Sequence, residues 1–390
     1  MFLYIKKQIL SFSLLSINEK LILLLVFSIF LPSIPNYPFQ PSAIVTIFIS
    51  IFILINKERR ITVFKNMHSP VIIILLILLL VVPLYYKNYY GLLVGLLIDF
   101  YFIIALYARS FMTAKLFEKI CDLCCSLSIL CASFGLIQRF TYRPTLSTPF
   151  LRVPSTFFNP NFYAYIIELV ILIAVYRLLI DKKYKLFYLL TIALNLGALF
   201  LTDCRSAWLG LFFGVIVIFI ILKKPIHSII TIMVTVTITA SAYIFPWLIP
   251  RLFMIERASS KRMDIWIKAM QDFYAHPFFG RGMLAYYQVS GDIITPHAHD
   301  IFIDILECFG SIGTLALLIY FVYMIINMKK NFKLGDFQQK AAIAFVCGIL
   351  SCTLVHGITD VPYVGIQTGA LLFILMTARS AKTEVDKKEE

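Results

Sequence analysis

The chain has 390 residues, of which 60% are hydrophobic and 14% are charged, and its formal net charge is +14 at pH 7. A composition this apolar excludes an ordinary soluble globular protein and is typical of a polytopic membrane protein. The basic residues cluster between apolar segments. We therefore interpret the positive charge as a topology signal, and nucleic acid is not an expected partner.

Twelve apolar segments are long enough to cross about 30 Å of hydrocarbon as helices. They lie near residues 21–34, 41–56, 70–86, 91–108, 119–138, 162–180, 186–203, 206–222, 226–246, 301–328, 341–358 and 362–379. The predicted fold class is all-α, a polytopic transmembrane helix bundle of about twelve spans with a large extracytoplasmic loop that contains short helices. The expected domains are helices 1–9 in residues 1–246, the loop in 247–300, helices 10–12 in 301–380, and a cytoplasmic tail in 381–390.

The positions of lysine and arginine predict the orientation, because short cytoplasmic loops retain basic residues. With Lys6, Lys7 and Lys20 inside, most basic residues fall in cytoplasmic segments, and both termini are expected in the cytoplasm. No cleavable signal is expected before the first span. The outer segments would hold three Lys but eight Arg. A guanidinium can bind phosphate or carboxylate through two parallel donors, so this excess favours an anionic ligand, although snorkelling at the interface explains some of these side chains.

The eight cysteines lie in or beside apolar spans and predict a reduced, packed core, not a disulfide framework. The Cys121-x-x-Cys124 spacing has no second pair and no histidines at metal-ligand spacing. The sequence contains no Walker A loop, no dinucleotide fingerprint and no H-E-x-x-H motif. No cofactor is therefore expected.

The first polar segment on the predicted outer side is Asn159-Pro160-Asn161, at the end of a loop that also bears Arg139, Arg143 and Arg152. Asn-Pro is typical of a turn that begins a helix, and either asparagine could cap the exposed N–H groups. Capping alone and a functional role are equally compatible with this pattern.

The second polar segment is a tight break between two spans, Thr202-Asp203-Cys204-Arg205-Ser206-Ala207-Trp208-Leu209-Gly210. An arginine at membrane depth is costly unless it is paired or functional. Arg205 is therefore either paired with Asp203 or directed at an anionic ligand, and we favour the ligand.

The third segment, Ser259–Trp266, opens a helix that is expected to end near His276, before Pro277. Arg262, Trp266, Met270 and Phe273 would share one stripe of this helix, whereas Lys261, Asp264 and Lys268 would face water. Arg262 would then lie at headgroup depth, as an interfacial anchor or as a ligand group.

The fourth segment is Pro296-His297-Ala298-His299-Asp300. If a helix begins near Pro296, then His297, Asp300, Asp304 and Glu307 fall on one stripe, and His299 points elsewhere. Two histidines and three acids could also bind a metal, but His-x-His on a helix places the rings about 200° apart, so we predict no metal. The acids Asp99, Glu168 and Asp360 near membrane depth could each be a structural partner or a site residue.

Together these segments resemble the O-antigen ligase and O-antigen polymerase superfamily of bacterial membrane glycosyltransferases. The family patterns are N-P-N before a span, R-S/G-x-x-x-G, R-x-x-x-W, and H-N-x-x-L followed by E-x-G-x-x-G. This chain has, in the same order, Asn159–Asn161, Arg205–Gly210, Arg262–Trp266, and His299 to Ile303 with Glu307, Gly310 and Gly313. Asp300 replaces the usual Asn after the histidine.

The resemblance implies glycan transfer from an undecaprenyl diphosphate carrier to a glycan or lipid-glycan acceptor, on the outer face of the bacterial cytoplasmic membrane and without a metal. Arginines can stabilise a diphosphate leaving group, and a histidine can accept the acceptor's proton near neutral pH. We assign the first role to Arg205 and Arg262 and the second to His299. The expected substrate-binding residues are His297, the alternative base, and Arg139, Arg152, Asn161, Arg257, Arg281, Asp300 and Glu307.

Two other functions fit the same pattern. A repeat-unit polymerase performs the same reaction, with a growing lipid-linked glycan as the acceptor. A secondary transporter or flippase also has about twelve spans, but it would require more charges near the bilayer centre and an inverted repeat. We predict a ligase first, a polymerase second and a transporter last, with membrane lipids as further partners.

Overall fold

The computed structural model describes residues 14–33, 40–67, 70–141, 152–181, 183–244, 255–291 and 295–380, and these are almost entirely helical. The helices are α1 (Ile17–Ile29), α2 (Pro41–Ile55), α3 (Lys57–Asn66), α4 (Pro70–Tyr85), α5 (Tyr89–Ala108), α6 (Ala114–Thr141), α7 (Pro160–Ile180), α8 (Lys185–Thr202), α9 (Arg205–Ile221), α10 (Pro225–Ile244), α11 (Ile255–Ala275), α12 (Ala285–Ser290), α13 (Ile301–Leu334), α14 (Phe337–Gly357) and α15 (Ile366–Leu375). Short 3₁₀ turns lie at Pro362–Val364 and Met376–Ser380. The all-α bundle is confirmed.

A helix lies at each of the twelve segments predicted to span the membrane, and α3, α11 and α12 are additional. Within the described residues, six helices are long and apolar enough to cross a membrane, namely α5, α6, α7, α8, α13 and α14. The pair α2 and α3 would be a seventh if it forms one span bent by 102°. Several shorter apolar helices accompany them. The chain is a multi-pass membrane protein, whereas twelve crossings and two cytoplasmic termini remain predictions.

Helix α7 is the central helix of the bundle, because residues on all its faces are buried. It packs against α6, α8, α9 and α14. Pro160 is its first residue, where a proline supplies the helical φ angle and the missing N–H has no intrahelical partner to lose. The position of α7 fixes the location of the asparagines at its start.

Helices α9 and α14 pack closely along each other through small residues. A Cβ added at Gly348 would lie 2.8 Å from the carbonyl oxygen of Gly214. Close backbone approach through small residues is the usual way in which helices associate in a membrane. It brings the beginning of α9 and the end of α14 to the same end of the bundle as the start of α7.

Helix α13 is interrupted at Gly310, which has φ 61° and ψ −171°. The break leaves backbone N–H and C=O groups of α13 without partners in the helix, and the segment 277–282 forms hydrogen bonds with them. The N–H of Ser311 donates to Pro277 O at 2.7 Å, and the N–H of Gly282 donates to Cys308 O at 2.8 Å. A Cβ at Gly310 would lie 2.5 Å from Gly280 N, so only glycine fits. This contact explains Gly310, the first of the two glycines that follow Glu307.

Candidate active site

Two histidines and one aspartate meet where the segment 295–300 approaches the turn after α14. The Nδ1 atom of His299 lies 3.4 Å from Asp360 Oδ1, and the Nε2 atom of His297 lies 3.7 Å from the same oxygen. The centroids of the two imidazole rings are 4.4 Å apart, with an interplanar angle of 74°. A single carboxylate oxygen therefore faces both histidines.

The helix that was expected to begin near Pro296 begins instead at Ile301. Asp300 is its N-cap, and its carboxylate accepts hydrogen bonds from the backbone N–H groups of Phe302 at 2.9 Å and Ile303 at 3.0 Å. The side chain of Asp300 is thus occupied with capping. The residues before this cap are not helical.

The predicted stripe of His297, Asp300, Asp304 and Glu307 is consequently wrong in its first two members. Asp304 and Glu307 do lie on one buried face of α13. His299, which was expected to point away from the acidic stripe, instead contacts the carboxylate of Asp360. Because neither histidine is on a helix, their rings are adjacent and not splayed apart.

His299 occupies a left-handed backbone conformation, with φ 53°. Such a conformation costs free energy for a residue other than glycine and is concentrated at functional sites. The side chain of His299 is 26% exposed, whereas that of His297 is 7% exposed. His299 is therefore the histidine that a substrate can reach.

The pKa of His297 is lowered to about 4, chiefly because burial disfavours its charged form, and the neighbouring His299 adds to this effect. Its Nδ1 atom accepts a hydrogen bond from the backbone N–H of His299 at 3.3 Å. A neutral imidazole that accepts at Nδ1 carries its proton on Nε2. His297 therefore directs an N–H group towards Asp360.

Asp360 is held by the start of α7. The Nδ2 group of Asn161 donates to Asp360 Oδ2 at 2.7 Å, and the backbone N–H of Val361 donates to Oδ1 at 2.8 Å. Burial alone would raise the pKa of Asp360, but the hydrogen bond to His299 and the charges of the neighbouring histidines hold it below its usual range. Asp360 is ionised at neutral pH.

The two asparagines of the Asn-Pro-Asn segment have different roles. The side chain of Asn159 caps α7 and accepts from the backbone N–H of Asn161 at 2.8 Å. Asn161 is turned towards the site, where its Oδ1 accepts a hydrogen bond from Arg152. The Nε group of Arg152 also donates to Thr202 O at 2.9 Å. This network links Asp360 to the turn that precedes Arg205.

Arg205 is the first residue of α9, directly after that turn, and its side chain is half-buried. Asp203 in the turn is left-handed, with φ 52°. The backbone of Arg205 thus lies at the N-terminus of α9, which is the positive end of the helix dipole. A helix N-terminus suits an anionic group.

Helix α11 carries Arg262 towards the histidine segment. Ile265 and Ala269, which are three and seven residues after Arg262, belong to the apolar cluster that contains Ala298, the residue between the two histidines. Residues at these spacings share a helix face. Arg262 thus lies on the face of α11 that meets the site. Within the described residues, no ion pair involves Arg262.

The buried stripe of α11 differs from the predicted one. Trp266, Met270 and Phe273 are half-buried, whereas Ala269 and Asp272 are buried. The difference arises because α11 packs against α12 and α13 and does not lie only against lipid. The expected end of the helix near His276 is confirmed, and Lys261, Asp264 and Lys268 are exposed as predicted.

A comparison with protein families matches residues 190–321 to the family described as O-antigen ligase. These residues, the matched segment, are similar to that family. The match confirms the resemblance to the O-antigen ligase and polymerase superfamily, and with the apolar helices it supports an O-antigen ligase-like or polymerase-like membrane glycosyltransferase that acts on lipid-linked glycans. A search of curated proteins found no matching relative.

The matched segment contains Arg205, Arg262 and His299, but two residues of the polar network, Asn161 and Asp360, lie outside it. The sequence did not decide whether Asp360 is a structural partner or a site residue, because no local pattern relates it to His299. The feature that could have indicated a site residue is the position of Asp360 in a proline-flanked turn between the last two predicted spans.

Three further residues that were predicted to bind substrate, Arg257, Arg281 and Glu307, lie in the matched segment. Arg281 donates to Asp272 Oδ1 at 3.0 Å, and its guanidinium lies 5.5 Å from the centroid of the Tyr86 ring. Neither carboxylate oxygen of Glu307 has a hydrogen-bond partner among the described residues. The side chain of Arg257 lies outside the described residues. Roles for these three residues in substrate binding remain predictions.

Arg139, which precedes the matched segment, is exposed near the end of α6. The structure does not bring it into the network of Asn161 and Asp360. Arg152, by contrast, reaches the network through Asn161, as described above. Of Arg139 and Arg152, Arg152 is the better candidate for a role at the site.

His297, His299 and Asp360 each offer one potential metal-ligand atom, and these three atoms lie within 4.8 Å of one another. The expected separation of the rings on a helix, which was our reason to predict no metal, is therefore wrong. A different reason disfavours a metal ligand here. For a metal to bind His297 Nε2, the proton on that atom would have to move to Nδ1, and the hydrogen bond that Nδ1 accepts from the His299 N–H would be lost.

Proposed function

We propose that this protein transfers a glycan from an undecaprenyl diphosphate carrier to an acceptor hydroxyl on the outer face of the bacterial cytoplasmic membrane. The observation that carries the proposal is the contact between His299 and Asp360, whose other carboxylate oxygen is bound by Asn161. A histidine oriented by an ionised carboxylate is the usual form of a general base.

In the proposed reaction, Asp360 holds a proton on Nδ1 of His299, and the Nε2 atom takes the proton from the acceptor hydroxyl. The acceptor oxygen bonds to the anomeric carbon of the donor sugar while the bond from that carbon to the diphosphate oxygen breaks. Negative charge then develops on the leaving diphosphate. We assign its stabilisation to Arg205 at the α9 terminus and to Arg262, so that no metal is needed.

An apolar cavity of about 600 Å³ supports the proposal that the donor is linked to a lipid. It lies between α5, α13, α14 and α15, and its lining includes Phe302, Tyr320 and Phe373. Phe302 is three residues after His299, so the cavity begins beside the histidine segment. An isoprenoid chain in this cavity would leave its diphosphate near the site.

Transfer by the purified protein in liposomes tests this proposal directly. The donor is a glycan on undecaprenyl diphosphate, and the acceptor is offered separately. We expect release of undecaprenyl diphosphate and one glycan added per acceptor. A ladder of lipid-linked products would identify a polymerase. Movement of intact donor across the bilayer without transfer would contradict the proposal and favour a flippase.

A further inference from the structure

One buried polar pair has no role in the chemistry proposed above. Glu168 lies in α7 and His356 lies in α14, with His356 Nδ1 2.7 Å from Glu168 Oε2. The side chains are 1% and 0% exposed for His356 and Glu168, respectively. Apolar residues of the same volume often stabilise a fold as well as a buried ionisable pair does. Stability alone therefore does not explain why the pair is present.

The first connection of this pair is with α9. A Cβ added at Gly210 would lie 2.3 Å from Glu168 Oε1. Gly210 is the last residue of the Arg205–Gly210 motif, and it leaves the space that Glu168 occupies. The motif thus places Arg205 at the start of α9. Little more than one helical turn later, its glycine leaves room for Glu168, the partner of His356.

The second connection runs through His356 to the two turns that flank the site. Burial raises the pKa of the Cys204 thiol, but the interaction with His356 outweighs this effect and lowers it. His356 also contributes, after His299 and His297, to the low pKa of Asp360. The geometry gives the same two connections: Glu168 fills the space beside Gly210 of α9, and the carbonyl oxygen of His356 accepts a hydrogen bond from the N–H of Thr359, in the turn at 358–361, at 3.2 Å.

We propose that Glu168 and His356 are positioning residues, which fix the position of the turn at 203–205 relative to the turn at 358–361. The proposal rests on the proposed function in so far as this relative position serves glycan transfer. Neither residue touches a substrate. Reacting groups that are displaced by about 1 Å can lose on the order of 10²-fold in rate, so small movements of these turns are expected to matter.

The test compares two variants that disturb the pair with one that leaves it intact. Glu168→Gln keeps the shape of the side chain and removes its charge. Gly210→Ala introduces the Cβ that collides with Glu168. The control is Tyr165→Phe, which removes the 2.6 Å hydrogen bond between Tyr165 and Thr353 in the same two helices. We expect kcat to fall about 10-fold or more in the first two variants and to stay within twofold in the control.

Hydrogen–deuterium exchange of the two turns is measured in parallel, because it does not depend on activity. We expect faster exchange in both turns for Glu168→Gln and Gly210→Ala, and unchanged exchange for Tyr165→Phe. Unchanged exchange and kcat in both pair variants would overturn the proposal. If the unmodified protein transfers no glycan, the proposed function fails, whereas the exchange result still decides whether the pair holds the turns.

Discussion

Helix α7 has a polar cluster at each end, and the two clusters differ in how the charge of their arginines is balanced. At its C-terminal end, the guanidinium of Arg177 lies 3.3 Å from Glu118, 3.1 Å from Asp122 and 3.1 Å from Asp181, and it donates to Tyr188 at 2.9 Å. The side chain of Arg177 is 3% exposed. Its charge is balanced entirely within the protein, which is the arrangement of a structural ion pair.

At the N-terminal end of α7, Asn161 and Asp360 belong to a network that reaches a partly exposed histidine. Arg262, on the helix that packs against this histidine segment, takes part in no ion pair within the described ranges. An arginine that has no ion pair among the described residues can balance the charge of a ligand. The comparison therefore separates Arg177, which holds the fold, from Arg262, which we propose to bind the diphosphate.

The sharpest way to break this comparison is to replace an arginine by lysine at each end. Arg205→Lys keeps the charge but loses the two parallel donors, and we expect kcat to fall by roughly 10²-fold or more. Arg177→Lys should lower the midpoint of thermal unfolding and change the kcat of the folded protein little. Near-native transfer by a normally abundant Arg205→Lys protein would show that Arg205 serves topology.

Asp360→Asn sharpens the account of the network at the start of α7. It removes the charge that orients His299, and we expect kcat to fall about 10-fold with donor binding retained. The matched control is Asp300→Asn, because asparagine caps a helix as well as aspartate does. Kinetics of the two purified variants give the answer. Equal activity of both would mean that Asp360 does not orient the base.

The pH dependence of the unfolding free energy tests whether His297 is buried in its neutral form. The folded-state pKa of His297 is about 4, below the usual value near 6.5, so the unfolded chain binds this proton first. Its stabilising contribution is complete above pH 6.5 and falls between pH 6.5 and 4, by up to about 1.4 kcal/mol per unit. The thermal midpoint should depend less on pH in this window for His297→Gln. An unchanged slope would contradict the burial effect.

Chelation is expected to have the smallest effect of all. Transfer by the purified protein should change less than twofold in EDTA, because arginines and not a metal are proposed to balance the diphosphate. Loss of activity in EDTA with recovery in Mg²⁺, Mn²⁺ or Zn²⁺ would identify His297, His299 and Asp360 as metal ligands.

The helices could be predicted because each one is a long apolar run, and this pattern is set by the membrane itself. The histidine register could not be read from helical spacing, because Asp300 caps α13 and leaves both histidines outside the helix. An Asp directly before Ile301, Phe302 and Ile303 was the signal for a cap, and the expected helix began too early.

The candidate site was predicted in part. Arg205, Arg262 and His299 follow from local motifs, since each lies in a short polar segment between apolar runs. The contact between Asn161 and Asp360 joins residues 199 positions apart, and the pair of Glu168 and His356 joins residues 188 positions apart. Contacts of this kind depend on how the helices pack, which periodicity along one helix does not determine.

The central claim is that His299, and not His297, is the general base. It is tested most directly by the kcat of His299→Ala and His297→Ala in the same reconstituted transfer assay, with donor binding measured separately. We expect His299→Ala to lose about 10² to 10⁴-fold in kcat with donor binding retained, and His297→Ala to lose far less. An inactive His297→Ala protein beside an active His299→Ala protein would contradict the account.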